Sequence, residues 1–377
     1  MDKKERLVSL DALRGADMLF IMGFSGVIAI LARIIAGPDC WVIPLMGHAE
    51  WVGITHLDTV FPLFLFIAGA SWPFSFAAQE AQGKSRLSIV LRIFKRAALL
   101  ILLGWVVNGI FDFKFSTLRF SSVLGFIGVS WMFAALLYIF VRKAWIRILV
   151  MAALAGGYWA LLYFLVAPDA PAGAWSFSYE GSITGYIDRI VMGTKHIYGY
   201  GYNYKYANGW ADPEGLLSIM CGTVTAMLGV FAGEIVRSER FAKGKRALLL
   251  FVTSLVLLGL GFAWMPFCPC IKKLWTPTFA LFAGAYSFAA FALFYWICDV
   301  MMWRKWTFFF RVIGMNSITI YVGSGIINFT NATNFFFTGF SSLFSGDWSV
   351  LVMRLGRVII AWLFLYFLYR KNTFLKV

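Results

Sequence analysis

Asp58-Thr-Val-Phe-Pro-Leu-Phe-Leu-Phe-Ile-Ala-Gly-Ala-Ser-Trp-Pro-Phe-Ser-Phe-Ala-Ala78 opens on an acid and then runs twenty residues without a further charge. A helix needs about 20 apolar residues to cross the hydrocarbon of a bilayer, and this stretch supplies them. Pro62 and Pro73 do not exclude a span, because neighbouring helices and polar side chains can satisfy the backbone groups that a proline frees. Comparable runs recur along most of the 377 residues, which are 61% hydrophobic and only 14% charged, with mean hydropathy +0.78. Such a chain cannot dress a soluble globule with a solvated surface. The sequence therefore predicts an all-α polytopic membrane protein of about ten transmembrane helices with one long outer loop, a single transmembrane domain over residues 1–377.

Working outward, the other spans are expected near 10–35, 97–111, 121–141 and 146–167, then 216–236, 247–265, 276–299, 308–327 and 350–369. The formal charge of +15 is explained by where it falls. Lys3, Lys4 and Arg6 precede the first span, and Lys84, Arg86, Arg92, Lys95 and Arg96 follow the second. Every second loop after that is also basic: Arg142, Lys143 and Arg147, then Arg237 to Arg246, then Arg304 and Lys305, then Arg370, Lys371 and Lys376. The alternate loops hold only Lys114, Arg119, Arg189, Lys195, Lys205, Lys272 and Lys273. By the positive-inside bias both termini are cytoplasmic, so His48 and the loops at 168–214 and 329–348 face outward. The basic residues form no stripe with interleaved exposed aromatics, which argues against nucleic acid as a partner. The first span follows charged residues with no small-residue cleavage site, which reads as a retained helix and not a signal peptide.

Ahead of the quoted stretch lies His48-Ala-Glu-Trp-Val-Gly-Ile-Thr-His-Leu, two of the three histidines in the chain beside two acids and a tryptophan. A titratable cluster at the mouth of a membrane helix is a natural seat for chemistry. Thr55 and Asp58 also have the spacing of a capping box, a structural role that can coexist with catalysis. His56 is expected to face away from His48 as an interfacial residue. The outer loop between spans five and six, 168–214, is long and rich in Gly and Tyr, with Asp188, Arg189, His196, Asp212 and Glu214 scattered through it. Helix capping ahead of Leu216 is the structural alternative for Asp212 and Glu214, with Pro213 at an early helical position.

Charges inside apolar helices need a reason. Asp11 and Arg14 stand at i, i+3 in the first span, with Ser9 as its expected N-cap and Asp17 deeper. Arg354 and Arg357 repeat that spacing near the outer end of the last span, where snorkelling to the interface is the first reading and an anionic group the second. Asn108 and Asn316 read first as interhelical hydrogen-bonding amides. Of the five cysteines none has zinc-ligand spacing with histidine, so no metal is expected. Cys221 and Cys298 read as helical apolar residues, while Cys40, Cys268 and Cys270 fall in outer loops where a Cys40 disulfide is permitted.

Several segments together are familiar: Arg6-Leu-Val-Ser-Leu-Asp-Ala-Leu-Arg-Gly15, His48-Ala-Glu-Trp-Val-Gly53 followed by Leu57-Asp-Thr-Val-Phe-Pro62, and Ile187-Asp-Arg189 with His196-Ile-Tyr198. Asp212-Pro-Glu-Gly-Leu-Leu217, Leu274-Trp-Thr-Pro-Thr-Phe279 and Gly314-Met-Asn-Ser-Ile318 follow in order. This series resembles the transmembrane heparan-α-glucosaminide N-acetyltransferase family and its bacterial relatives. The resemblance implies an integral protein of a bacterial inner (plasma) membrane that takes the acetyl group of cytoplasmic acetyl-CoA to the amine of a glucosamine-type sugar outside. It singles out His48 as the catalytic residue, with Asp58 or Glu50 holding its tautomer. His196, Asp212 and Glu214 would then meet the acceptor, and Arg14, Asn108 and Asn316 the acetyl-CoA. Two departures qualify it. Where the family has Gly-Val-Leu-Gln-Arg, this chain reads Ser122-Val-Leu-Gly-Phe126, and the chain shows no large outer domain, so the expected acceptor is an amino sugar or small glycan. The competing readings are a transporter or permease for amino sugars or envelope glycan fragments, and a non-catalytic glycan or lipid binder. A homodimer is compatible with the class, though no residue pattern specifies one.

Overall fold

A computed structural model describes residues 7–200 and 209–375. The expected inside flank at 1–6, with Lys3, Lys4 and Arg6, and also Lys205 and Lys376, lie outside the described residues. Helices carry the fold. The first apolar run forms α1 (Val8–Leu19) and α2 (Ser25–Ala36), joined through a wider turn at Phe20–Phe24. A single turn, α3 (Val42–Leu45), precedes α4 (His56–Ala81), α5 (Arg86–Val107), α6 (Val123–Phe140) and α7 (Ala144–Phe164). The long loop contains α8 (Ile183–Met192), after which come α9 (Ile219–Arg237), α10 (Lys243–Trp264) and α11 (Pro277–Tyr295). The chain closes with α12 (Thr307–Met315), α13 (Ser317–Ile326), α14 (Phe329–Ser341) and α15 (Asp347–Arg370). Among the described residues no strand forms; two isolated bridges, Gly53 with Ile271 and Val166 with Ser182, tie loops together.

Eight segments of the described chain are long and apolar enough to cross a membrane, the α1–α2 pair counting as one. Two of the ten expected spans take another form. The third is α5, which starts at Arg86 and carries Arg92, Lys95 and Arg96 in its first half. The ninth is not continuous but breaks at Asn316 into α12 and α13. Ser9 does not cap the first helix: Leu7 holds that position, without a side-chain hydrogen bond. The cysteines at 40, 221, 268, 270 and 298 are all unpaired, so the permitted Cys40 disulfide does not form.

Water cannot drive helices together inside a bilayer, so close backbone approach must. The α4–α9 seam shows it. A side chain at Gly69 would fall 2.0 Å from the Ala226 carbonyl oxygen, and one at Gly229 2.0 Å from that of Phe66. Gly229 and Gly233 give α9 the small-xxx-small spacing that permits such contact. Around this seam α4, α6, α9 and α11 bury Phe66, Trp131, Met227 and Phe288. A second body packs α1 and α2 on α12, α13 and α15 through Met22, Val27, Val312 and Val358. α10 leaves Leu248, Leu255 and Phe262 exposed along one side, as a helix bordering lipid does.

Candidate active site

The site begins with a helix cap. Thr55 is extended, its hydroxyl accepts the Asp58 amide at 3.3 Å, and the Asp58 carboxylate accepts the Thr55 amide at 3.1 Å. That reciprocal box fixes where α4 starts and which way Asp58 points. Asp58 Oδ2 also takes the Ala49 amide at 3.1 Å, while Oδ1 lies 2.8 Å from His48 Nδ1. The Asp58 side chain is 1% exposed and that of His48 57%. A buried carboxylate thus orients an imidazole whose far edge is open.

The third member comes from far along the chain. Gly53 donates its amide to the Cys270 carbonyl at 2.8 Å, docking the 268–276 loop on the histidine loop. Trp275 takes a left-handed conformation, φ 49°, and Thr276 caps α11 by accepting the Phe279 amide, with Pro277 as the first helical residue. Trp275 is buried against Phe61 and Phe126 and donates to the Thr225 hydroxyl at 3.2 Å. The Leu274-Trp-Thr-Pro-Thr-Phe279 motif is therefore a turn and cap, and its product is the placement of Lys272. Lys272 Nζ donates to Asp58 Oδ1 at 3.0 Å and stands 3.2 Å from His48 Nδ1. Its neighbour Lys273 donates to the Glu50 carbonyl at 3.0 Å; burial, then Lys272, lowers its pKa.

These groups open on a cavity of about 870 Å³ at the seam between the two helix bodies. Three groups of charged side chains from different parts of the chain line it: His48, Asp58 and Lys272; Arg119 and Glu214; Arg354 and Arg357. The two arginines of α15 are exposed and line this cavity, as the second of the two sequence readings expects. Arg119 is gripped by Asp212 (2.9 and 2.5 Å) and by Glu214. Burial opposes the guanidinium's charge, but Glu214 and Asp212 outweigh it and push its pKa up.

Asp212 is fully buried behind this pair and also accepts the Tyr198 and Glu214 amides at 2.9 and 3.0 Å. Neither acid caps a helix; α9 begins later, at Ile219. Glu214 reaches the cavity, Asp212 does not. Beneath them Asp188 Oδ1 accepts the Leu216 amide at 2.9 Å, and burial pushes this carboxyl up to about 7.

The remaining predicted residues lie apart from the cavity wall. His196 stacks on Phe120 with ring centres 4.1 Å apart, and its Nδ1 lies 2.8 Å from the Leu118 carbonyl. Asn108 donates to the Arg119 and Ser121 carbonyls at 3.0 and 2.7 Å. Both residues therefore hold the strand of chain that carries Arg119. Asn316 is buried at the α12–α13 break and donates to the Val312 carbonyl at 3.0 Å. Arg14 binds Asp11 at 3.5 Å and Ser71 at 3.2 Å, about 9 Å down the helix from Phe20 at the cavity. His56, as expected, faces elsewhere: it packs edge-on against Phe20 and meets the Tyr286 hydroxyl at 3.3 Å, beside a separate apolar hollow. No group of residues among those described has a metal-binding arrangement.

Spanning helices around a cavity that holds an Asp–His–Lys cluster define a polytopic, all-α membrane protein with a built polar site. The sequence family described as "Domain of unknown function (DUF5009)" matches residues 6–112, which include His48 and Asp58. The chain is 26% identical to heparan-alpha-glucosaminide N-acetyltransferase of Homo sapiens, over 99% of this chain and 60% of that protein. It is 27% identical to the Mus musculus enzyme of the same name, over 88% of this chain and 56% of that one. The likeness carried by the motifs is therefore a relationship over most of the chain, and its curated homologues are heparan-alpha-glucosaminide N-acetyltransferases. The chain spans less than two thirds of the length of either relative.

Proposed function

We propose that this protein is a transmembrane N-acetyltransferase that moves the acetyl group of cytoplasmic acetyl-CoA to the amine of a glucosamine-type sugar on the outer face. The observation that carries the reading is the His48–Asp58 pair, 2.8 Å apart, with the open imidazole edge turned to a cavity large enough for a small ligand. With Nδ1–H donated to Asp58, Nε2 holds a lone pair toward the cavity. It takes the proton of the amine as the amine attacks the thioester carbonyl; the tetrahedral oxyanion then expels the CoA thiolate, which takes that proton back from the imidazolium. Lys272, fixed beside the pair, supplies a positive charge near the developing oxyanion. In the covalent variant Nε2 attacks the thioester and expels the CoA thiolate, and the amine then attacks the acetyl-imidazole, freeing Nε2 and giving its proton to that thiolate. Glu214 offers the acceptor a carboxylate at the cavity wall, with Asp212 holding Arg119 behind it. The Lys/Arg distribution of the loops supports the sidedness, with both termini in the cytoplasm of a bacterial cell.

The test is acetylation of glucosamine by purified protein supplied with acetyl-CoA. His48→Ala is expected to lower kcat by about 10²–10⁴-fold with an unchanged thermal midpoint. Full activity in that variant would remove the histidine from the chemistry. Uptake of amino sugar into vesicles without acetyl-CoA, unaffected by His48→Ala, would favour the transporter.

A further inference from the structure

The third charged group lining the cavity is not explained by proton transfer. Arg354 and Arg357 stand one turn apart on α15 and line the cavity that His48 opens on. Among the described residues, no hydrogen bond, ion pair or ring contact engages either guanidinium. The cavity's own acids are already committed, Asp58 to His48 and Lys272, Glu214 to Arg119. Both side chains are exposed to the open cavity, where an incoming anion can reach them.

The facing chain comes close to both side chains. At Phe20–Phe24 the first span leaves regular α-helix, with Gly23 at φ 108°. A side chain at Gly26 would fall 1.9 Å from Arg354 Nη1, and one at Gly23 would touch Arg357 Cδ and Nε at 3.8 Å. The two side chains therefore lie against the Gly23–Gly26 turn, and any side chain at position 26 would displace the Arg354 guanidinium.

We infer that Arg354 and Arg357, seated on Gly23 and Gly26, form an oxyanion subsite for a phosphate, sulfate or carboxylate on the ligand that the cavity receives. Forked guanidiniums match such groups in a way that a single ammonium does not. The inference rests on the acetyltransferase reading for what enters the cavity, and it leaves two sources for the anion: a phosphate of the donor or an acidic substituent of the acceptor sugar.

Calorimetric titration of the full-length chain in detergent separates them without turnover. The probes are CoA against pantetheine, and glucosamine 6-phosphate against glucosamine. Arg354→Gln and Arg357→Gln are each expected to raise Kd at least about tenfold for the phosphorylated member of one pair and to leave its phosphate-free counterpart within about twofold. The pair that responds names the source. Gly26→Ala, which keeps both guanidiniums but displaces Arg354, is expected to weaken the same probe, and Arg357→Lys to fall between wild type and Arg357→Gln. Failure of the unaltered chain to bind either phosphorylated probe, no change in Kd, or equal losses for phosphorylated and phosphate-free probes would each overturn the subsite. Binding with this pattern in a protein that never acetylates would defeat the proposed reaction and leave the subsite standing.

Discussion

The two sides of the cavity differ in how their charges are satisfied. On the His48 side every formal charge has a partner: Asp58 takes Lys272, His48 and two backbone amides, all within 3.1 Å. On the α15 side two guanidiniums face the same space with none among the described residues. A closed network keeps its geometry whether or not a ligand is present, which is what proton transfer at a fixed atom requires. An open pair of cations gains most when an anion arrives. On the function proposed above, chemistry belongs to one wall and grip to the other.

The comparison can be broken most severely at Asp58. Asp58→Asn removes the charge that Lys272 faces and the acceptor that selects the His48 tautomer, so a loss in kcat of about 10²–10⁴-fold is expected, with smaller effects on KM. A fall in KM-linked affinity alone would move Asp58 from orienting the base to binding substrate.

Arg119→Met tests whether the Asp212–Glu214 support is structural. It would leave two buried carboxylates without their cation, a cost of about 3–5 kcal/mol. A lowered thermal midpoint and loss of folded protein are expected, read by denaturation in detergent. Normal stability with lost acceptor binding would instead make Arg119 a ligand-contacting residue.

The smallest effect concerns Asp188. Its folded pKa, raised to about 7, exceeds the ordinary carboxylate value, so between roughly pH 4 and 7 the folded state holds the proton that the unfolded state has lost. Stability must then fall as pH rises through that window. Asp188→Asn keeps an acceptor for the Leu216 amide and cannot ionise, so its thermal midpoint should change less between pH 5 and 8, by a few degrees. Parallel pH profiles for the two proteins would contradict the buried carboxyl.

Much of this was legible in the sequence, because composition and run length suffice where the solvent is lipid. The Thr55–Asp58 box was also legible, since capping is a local code three residues long, and it placed Asp58 beside His48. Lys272 was not, because it meets Asp58 across 214 residues through the Gly53–Cys270 docking contact. A clue existed in Trp-Thr-Pro, a cap signature one residue after two lysines in a loop otherwise on the cation-poor side. For Arg354 and Arg357 the sequence left two readings open, because their approach to Gly23 and Gly26 joins positions more than 300 residues apart. The break at Asn316 left no mark in the hydropathy, because both halves of the ninth run are apolar.

The central claim is transfer between faces through His48. Proteoliposomes holding the full-length chain, with acetyl-CoA confined to the cytoplasmic side and glucosamine to the other, test it most directly. The account predicts N-acetylglucosamine on the side opposite the donor, and no more than about 1% of that rate with His48→Ala. Product formed only on the donor's side, or at an undiminished rate without His48, would contradict it.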